Sequence, residues 1–303
     1  MYITKKNILV LIIIMLFCST SEAFQIKVHN PESVGISEQR LSRIAPLMQQ
    51  YIDEGKLAGA LTMVARKGKV VHFDTYGHQD KKKKNSIGEN SIFRIYSMSK
   101  PITSVAVMML YERGHFLIDD PIEKHIPEFK DLRVYKSGTT GNMQTEPLNR
   151  SVTIRDLLTH TSGFTYGIFS QTPVDTLYRE AQVLRGGDSL SQAITRLSKI
   201  PLLNQPGETW HYSVSTDILG YLVEQLSGLT LAEFVEENIL QPLNMDDTGF
   251  EVADNDLNRF TVNYQVQEDG SLKAIDGGKK SQFAAPVTFY SGGGGMVSTA
   301  EDY

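Results

Sequence analysis

Cysteine is nearly absent from this sequence: Cys18 is the only one in 303 residues. If the chain is cut after Ala23, the mature protein has no disulfide and no thiol nucleophile, and its stability must come from core burial. The seven histidines are scattered, with no HExxH and no paired His/Cys spacing. No tightly bound metal is therefore expected. No G-x-S-x-G occurs, which argues against the strand-to-helix nucleophile turn of an α/β-hydrolase. Long basic stripes are lacking, and the formal charge is −5. A mildly acidic chain of this kind has no electrostatic footprint for nucleic acid. The run Lys81–Lys84 reads as a solvated loop. There is no internal repeat and no low-complexity linker.

What is present begins with one apolar run. Lys5 and Lys6 precede Ile8–Phe17, and Ser21-Glu22-Ala23 puts small residues at the positions a signal peptidase reads. Residues 1–23 are thus predicted to be a secretory signal peptide, leaving a mature chain of 24–303 in the periplasm or outside the cell. The run is short for a bilayer span, so no stable membrane anchor is expected after cleavage. Bulky Phe17 fits poorly with lipoprotein processing at Cys18.

At 41% hydrophobic residues, the chain can bury a sizeable core. Periodicity predicts an amphipathic helix over 37–54, on Leu41, Ile44, Leu47, Met48, Tyr51 and Ile52, ending at Gly55. Ala60–Arg66 and Lys69–Tyr76 read as a hairpin turning at Lys67-Gly68. A strong helix is predicted over 98–113, with Ile102, Val105, Ala106, Met109 and Leu110 on its apolar face and Gly114 as its stop. Further helices are expected at Ile154–Thr159, Ser189–Ser198, Thr216–Ser227 and Thr230–Ile239. Residues 130–150 and 164–188 read as long loops, and 283–297 as extended chain. Strands and helices that segregate in this way suggest an α+β architecture: a sheet from residues near 24–95 and the late strands, with a helical part from about 100 to 285. Near the end, Ser298-Thr299-Ala300-Glu301 forms a capping box. A lone turn does not sustain itself, so this segment is expected either to fray or to belong to a longer chain.

The chemistry centres on Ser97-Met98-Ser99-Lys100, an S-x-x-K motif. Residues i and i+3 share a helix face, so the serine hydroxyl and the lysine amine can meet. A helix N-terminus also favours developing negative charge. A desolvated, neutral lysine could take the serine proton. About one such motif is expected by chance in a chain this rich in Ser and Lys. Its setting carries more weight: Phe93–Tyr96 leads in as an extended segment, and Pro101 falls in the first helical turn.

The stretch FRIYSMSKPITSVAVMMLYERG (Phe93–Gly114) resembles the nucleophile helix of class C β-lactamases and their esterase relatives, within the serine β-lactamase/penicillin-binding-protein family. TIRDLLTHTSGF (Thr153–Phe164), PGETWHYSVSTDILGYLVEQLSG (Pro206–Gly228) and GGGGMVSTAEDY (Gly292–Tyr303) resemble later segments of that family, in the family's order. The resemblance implies a β-lactamase/transpeptidase-like fold, an antiparallel sheet with flanking helices plus a mainly helical domain. It implies a serine hydrolase working through an acyl-enzyme. Ser97 matches the nucleophile, Lys100 its general base, and Tyr212 the tyrosine that passes a proton to the leaving group and then activates water. The implied substrate is a small ester, a β-lactam or a D-amino-acid peptide, hence a small molecule or peptidoglycan-like partner. No cofactor is needed, because side chains suffice for acyl transfer. A non-catalytic ligand-binding member of the fold and a transacylase are the alternatives.

Two departures stand out. The β-lactamases carry Asn two residues after the tyrosine, whereas this chain has Val214, which cannot donate an amide hydrogen bond. The family's third motif, a short late strand such as K-T-G, is expected beyond Tyr303, so the site is expected to lack one wall. From the residues alone, Tyr212 packs beside Trp210, His160 reads as part of a polar turn, and Gly292–Gly295 as glycines permitting close strand packing rather than a phosphate loop.

Overall fold

Lys67 and Gly68 both take positive φ, 52° and 70°, the conformation a two-residue hairpin turn demands. They join β1 (Gly59–Arg66) to β2 (Lys69–Asp80) as the sequence predicts. The computed structural model describes residues 26–284 and 286–303; the predicted signal peptide lies outside them. By internal contacts the chain divides into two units, 1–41 with 63–73, and 42–62 with 74–303.

In the smaller unit, the His29 N–H donates to the Val70 carbonyl at 2.8 Å and Arg66 Nη1 to the Gly35 carbonyl at 2.8 Å. Val34 and Val71 are its buried apolar residues.

The predicted helix over 37–54 is broken. Glu38–Leu41 forms one turn, and α1 covers Ile44–Asp53. Pro46 explains the restart: it has no N–H to bond the Ser42 carbonyl, which suits a first turn and not an interior.

The larger unit holds everything chemically interesting. β3 (Asn85–Ser86) pairs antiparallel with the end of β2, Ser86 opposite His78 and Asn85 opposite Asp80. β4 (Phe93–Arg94) follows, then a 3₁₀ turn at Tyr96–Met98 and α2 (Ser99–Glu112), with Gly114 beyond it at φ 79°. α2 buries Ile102, Thr103, Ala106, Val107 and Leu110, while Val105, predicted on the buried face, is 49% exposed.

The two predicted loops contain regular structure. β5 (Val134–Thr139) pairs antiparallel with β6 (Asn142–Glu146), a hairpin whose strands carry mostly polar residues. α3 (Ile154–Leu158) precedes α4 (Pro173–Glu180), which starts at a reciprocal Thr172–Asp175 capping box. α5 (Leu190–Leu197), α6 (Ser215–Ser227) and α7 (Leu231–Val235) match the predicted positions, and α7 runs on into a π turn over Glu236–Leu240. β7 (Asn263–Val266) and β8 (Leu272–Asp276) form a further hairpin inside the range predicted as helical. Extended structure near the end shrinks to β9 (Val297–Ser298), paired antiparallel with β4. The expected cap at Ser298 is taken by Thr299, whose Oγ1 accepts from the Asp302 N–H at 3.3 Å.

Helix α2 packs on α6, and α6 on α3, α5 and α7. Ala106, Val107 and Leu110 of α2 meet Ile218, Leu219, Leu222 and Val223 of α6 in one core with Leu231, Phe234 and Val235. Each fully buried aliphatic side chain contributes about 1.5–3 kcal/mol, so this stack fixes where the α2 N-terminus sits.

Asp175 shows how polar groups pin the loops. It is fully buried and accepts from Thr165 Oγ1 (2.6 Å), Ser170 Oγ (2.5 Å), the Thr172 N–H (3.0 Å) and Thr172 Oγ1 (2.6 Å). Burial alone would raise its pKa, but these hydrogen bonds outweigh burial and hold the carboxyl at about 2. Its folded pKa is thus depressed. Its contribution is full above the ordinary carboxylate range and is lost as pH falls toward about 2. Asp175→Ala should cost about 3 kcal/mol near neutral pH, since it leaves several buried donors unpaired. Urea melts should show the gap between wild type and variant narrowing in acid.

Candidate active site

Four residues, Arg94, Ile95, Ser99 and Thr103, anchor Ser97 in position. The Ile95 N–H donates to the Met296 carbonyl at 3.0 Å. Arg94 is buried; its Nε donates to Asp276 Oδ2 at 2.6 Å and its Nη1 to the Thr261 carbonyl at 2.6 Å, with the guanidinium 3.9 Å from the Phe260 ring centre. The Met296 N–H donates to Ser99 Oγ at 3.1 Å, and Thr103 Oγ1 donates to the Gly292 carbonyl at 2.9 Å. Between these anchors Tyr96 adopts φ 43°. Left-handed backbone is costly for a bulky side chain and persists only where its surroundings hold it. The Asn263 side-chain amide donates to the Tyr96 hydroxyl at 2.6 Å. The lead-in expected to be extended is thus strand only over Phe93–Arg94, and the strained turn at Tyr96 aims the next residue, exposed Ser97, outward.

The three residues predicted from sequence come together. Lys100 Nζ lies 3.3 Å from Ser97 Oγ, as the i,i+3 spacing requires. The Tyr212 hydroxyl donates to Ser97 Oγ at 2.7 Å across 115 residues of sequence. Lys100 Nζ also lies 4.6 Å from the Tyr212 ring centre. Two partners of Lys100 escape sequence reasoning: Nζ donates to the Gly293 carbonyl at 2.6 Å and to the Tyr166 hydroxyl at 3.3 Å. Tyr166 sits in a loop without periodicity, so nothing in the sequence singles it out. Burial, with Asp217 adding to it, pushes the Tyr166 phenol well above its ordinary pKa. It stays protonated and serves as a hydrogen-bonding group, not a base.

Tyr212 is held by a collar. Its ring lies 4.9 Å from His160, 5.4 Å from Tyr166, 5.9 Å from Phe169 and 6.3 Å from Trp210, so it both packs beside Trp210 and reaches Ser97. The backbone behind it is tied to the 160–165 turn. The His211 N–H donates to the His160 carbonyl at 2.8 Å, and the Val214 N–H to the Thr165 carbonyl at 3.3 Å. His160 takes φ 56° and its Nδ1 is 3.3 Å from Ser213 Oγ, in keeping with the polar-turn reading. Burial, then the nearby Lys100 charge, lowers its pKa to about 4, so it is neutral near pH 7. Val214 is buried in the core.

Gly292 and Gly293 do pack closely, but in a turn against the start of α6 and not in a strand. A Cβ on Gly292 would lie 2.6 Å from the Thr216 carbonyl oxygen, and one on Gly293 would lie 2.5 Å from Asp217 Oδ2 and 2.8 Å from the Tyr166 hydroxyl. Among the described residues no group of three or more His, Cys, Asp or Glu could hold a metal ion.

A serine between an amine and a phenol at the head of a buried helix can exchange protons in both directions, which is what acyl transfer asks of a site. Together with the α+β fold, this matches the β-lactamase/penicillin-binding-protein superfamily. The chain belongs to the Beta-lactamase family, whose model matches residues 44–303. It is 33% identical over 256 residues to Protein Rv1367c of Mycobacterium tuberculosis, covering 84% of this chain and 63% of that protein. It is 33% identical over 279 residues to Esterase EstB of Burkholderia gladioli, covering 86% and 67%. Among solved structures it is similar to EstCE1, a hydrolase with promiscuous acyltransferase activity, with a TM-score of 0.74 and 26% identity over 86% of this chain and 70% of that one. Simvastatin synthase (LovD) from Aspergillus terreus shares the fold at a TM-score of 0.73 and 24% identity, covering 87% and 66%. The chain thus spans less than two thirds of the mycobacterial relative's length.

Proposed function

We propose that this protein is an exported serine esterase that cleaves a small, apolar ester through an acyl-Ser97 intermediate. The observation that carries this reading is the Ser97 hydroxyl lying 2.7 Å from the Tyr212 hydroxyl and 3.3 Å from Lys100 Nζ. To act as base, Lys100 has to give up one proton; its two remaining N–H groups can then donate to the Gly293 carbonyl and the Tyr166 hydroxyl while its lone pair takes the Ser97 proton. Ser97 Oγ then bonds to the ester carbonyl carbon. As the tetrahedral intermediate collapses, the bond to the alkoxy oxygen breaks and that oxygen takes the Tyr212 proton. Water, giving a proton back to Tyr212, attacks the acyl carbon and releases the acid, while the Lys100 proton returns to Ser97.

Two features support an ester over a β-lactam. Val214 offers no polar group where the β-lactamases have Asn. Phe169 and Trp210 flank Tyr212 with their side chains largely exposed, an apolar approach to the group that protonates the leaving alcohol. The 33% identity to a protein named as an esterase agrees. Transacylation is a second reading, favoured by the likeness to EstCE1. An added alcohol acceptor would then yield a new ester in place of free acid.

Covalent labelling tests the proposal. A fluorophosphonate should add one adduct per chain, mapped by peptide mass spectrometry to Ser97, and a p-nitrophenyl ester should be turned over faster than a chromogenic cephalosporin. Saturable ester binding with neither adduct nor product would leave a ligand-binding protein instead.

A further inference from the structure

Asp217 lies in the first turn of α6, buried to 4% exposure. An acidic residue there ordinarily faces solvent and complements the helix dipole. This one turns inward. Its Oδ1 accepts from Ser291 Oγ at 2.5 Å and from the Gly293 N–H at 3.1 Å. Among the described residues its Oδ2 has no hydrogen-bond partner. That oxygen and the Tyr166 hydroxyl both border the α-carbon of Gly293, where a methyl group would lie 2.5 Å from one and 2.8 Å from the other.

Gly293 is therefore gripped at both ends. Its N–H is held by Asp217, and its carbonyl accepts a hydrogen bond from Lys100 Nζ at 2.6 Å, shorter than the Lys100 contacts to Ser97 and Tyr166. Burying a carboxylate costs several kcal/mol unless its partners repay it. A neutral Asn could accept the same two hydrogen bonds more cheaply, so fold stability gives no reason for an acid here.

We propose that Asp217 is a positioning residue of the Ser97 site: it clamps the Ser291–Gly293 turn so that the Gly293 carbonyl holds Lys100 against Ser97. The inference rests on the esterase reading, because it gives Lys100 a proton to take. Asp217 touches neither Ser97 nor a substrate position, so it acts through Lys100 and Gly293.

The experiment compares the full chain with Asp217→Ala, Asp217→Asn and Ser291→Ala. It measures the rate of fluorophosphonate labelling of Ser97, kcat and KM on a p-nitrophenyl ester, and circular dichroism. A misplacement of about 1 Å can cost on the order of 100-fold in rate. Asp217→Ala should thus slow labelling and kcat about 30-fold or more with KM within about twofold. Asp217→Asn keeps an acceptor for both hydrogen bonds and should recover part of the loss. Ser291→Ala removes one strut and should cost only a few-fold. Natively folded variants that label and turn over at the wild-type rate would overturn the inference and leave the esterase reading standing. If Asp217→Ala does not fold, Asp217→Asn and Ser291→Ala decide by the same criterion. A wild-type chain that neither labels nor turns over would overturn both.

Discussion

Ser97→Ala should abolish fluorophosphonate labelling and lower kcat/KM for the ester by about 10⁴- to 10⁶-fold, while the melting temperature barely moves. The size of the loss follows from losing the covalent path. Without Oγ there is no acyl-enzyme, and single removals of a nucleophile in a cooperating set cost as much as removing the whole set. The residue left behind is not inert: Tyr212 and Lys100 remain aimed at the vacated position and could still assist direct attack by water at a low rate. Stability should hold because Ser97 is exposed and, among the described residues, its hydroxyl is bonded by Lys100 and Tyr212 alone. Stopped-flow hydrolysis with intact-protein mass spectrometry checks the rate and the adduct together. Labelling of the Ala variant at the wild-type level would place the reactive group elsewhere.

The fold and the site were legible to different depths, and the reason is physical. Helices α2, α5 and α6 show through because their buried faces repeat at helical spacing, and β1 and β2 because a Lys-Gly turn joins them. The β5–β6 hairpin does not show: Val134 is its only fully buried residue, so its strands display no alternation to read. Helix α4 was hidden by the loop-like composition around it, although its Thr172–Asp175 capping box is written in the sequence. Within the site, Ser97 and Lys100 meet through local geometry, which spacing encodes. Tyr212 could be placed only through family resemblance, since nothing local says that a residue 115 positions away faces Ser97. Tyr166 and Asp217 are silent in the sequence, and Gly293 reads there only as a packing glycine. Their meaning lies in one tertiary contact, the approach of the 291–293 turn to α2 and α6, and no periodic signal reports such a contact. Ser213 and Ser215, beside Tyr212, are equally silent in sequence, yet they join Ser162 in a buried hydroxyl chain with spacings of 2.7 and 2.8 Å that backs His160.

Lys100→Met should lower kcat/KM by about 10³- to 10⁴-fold, a loss larger than a missing base alone need give. Methionine matches the length of the stem but ends in a thioether, which neither takes the Ser97 proton nor donates to the Gly293 carbonyl. Base and clamp are therefore lost together. Combining it with Ser97→Ala should cost little beyond Ser97→Ala alone, because the two residues act on one proton. The substitution also reaches Asp217. Burial raises that carboxyl above its ordinary range, and the Lys100 charge is among the forces that oppose the shift. With Lys100 gone, the ionised form is less favoured still. For a carboxyl raised in the folded state, the native protein holds more protons than the unfolded chain across the window between the two pKa values, so stability falls as pH rises through it. The Met variant should therefore lose more stability relative to wild type as pH rises above the ordinary carboxylate range. Thermal melts of both proteins across a pH series test this. A loss that stays constant through the whole series would mean that Asp217 does not feel Lys100.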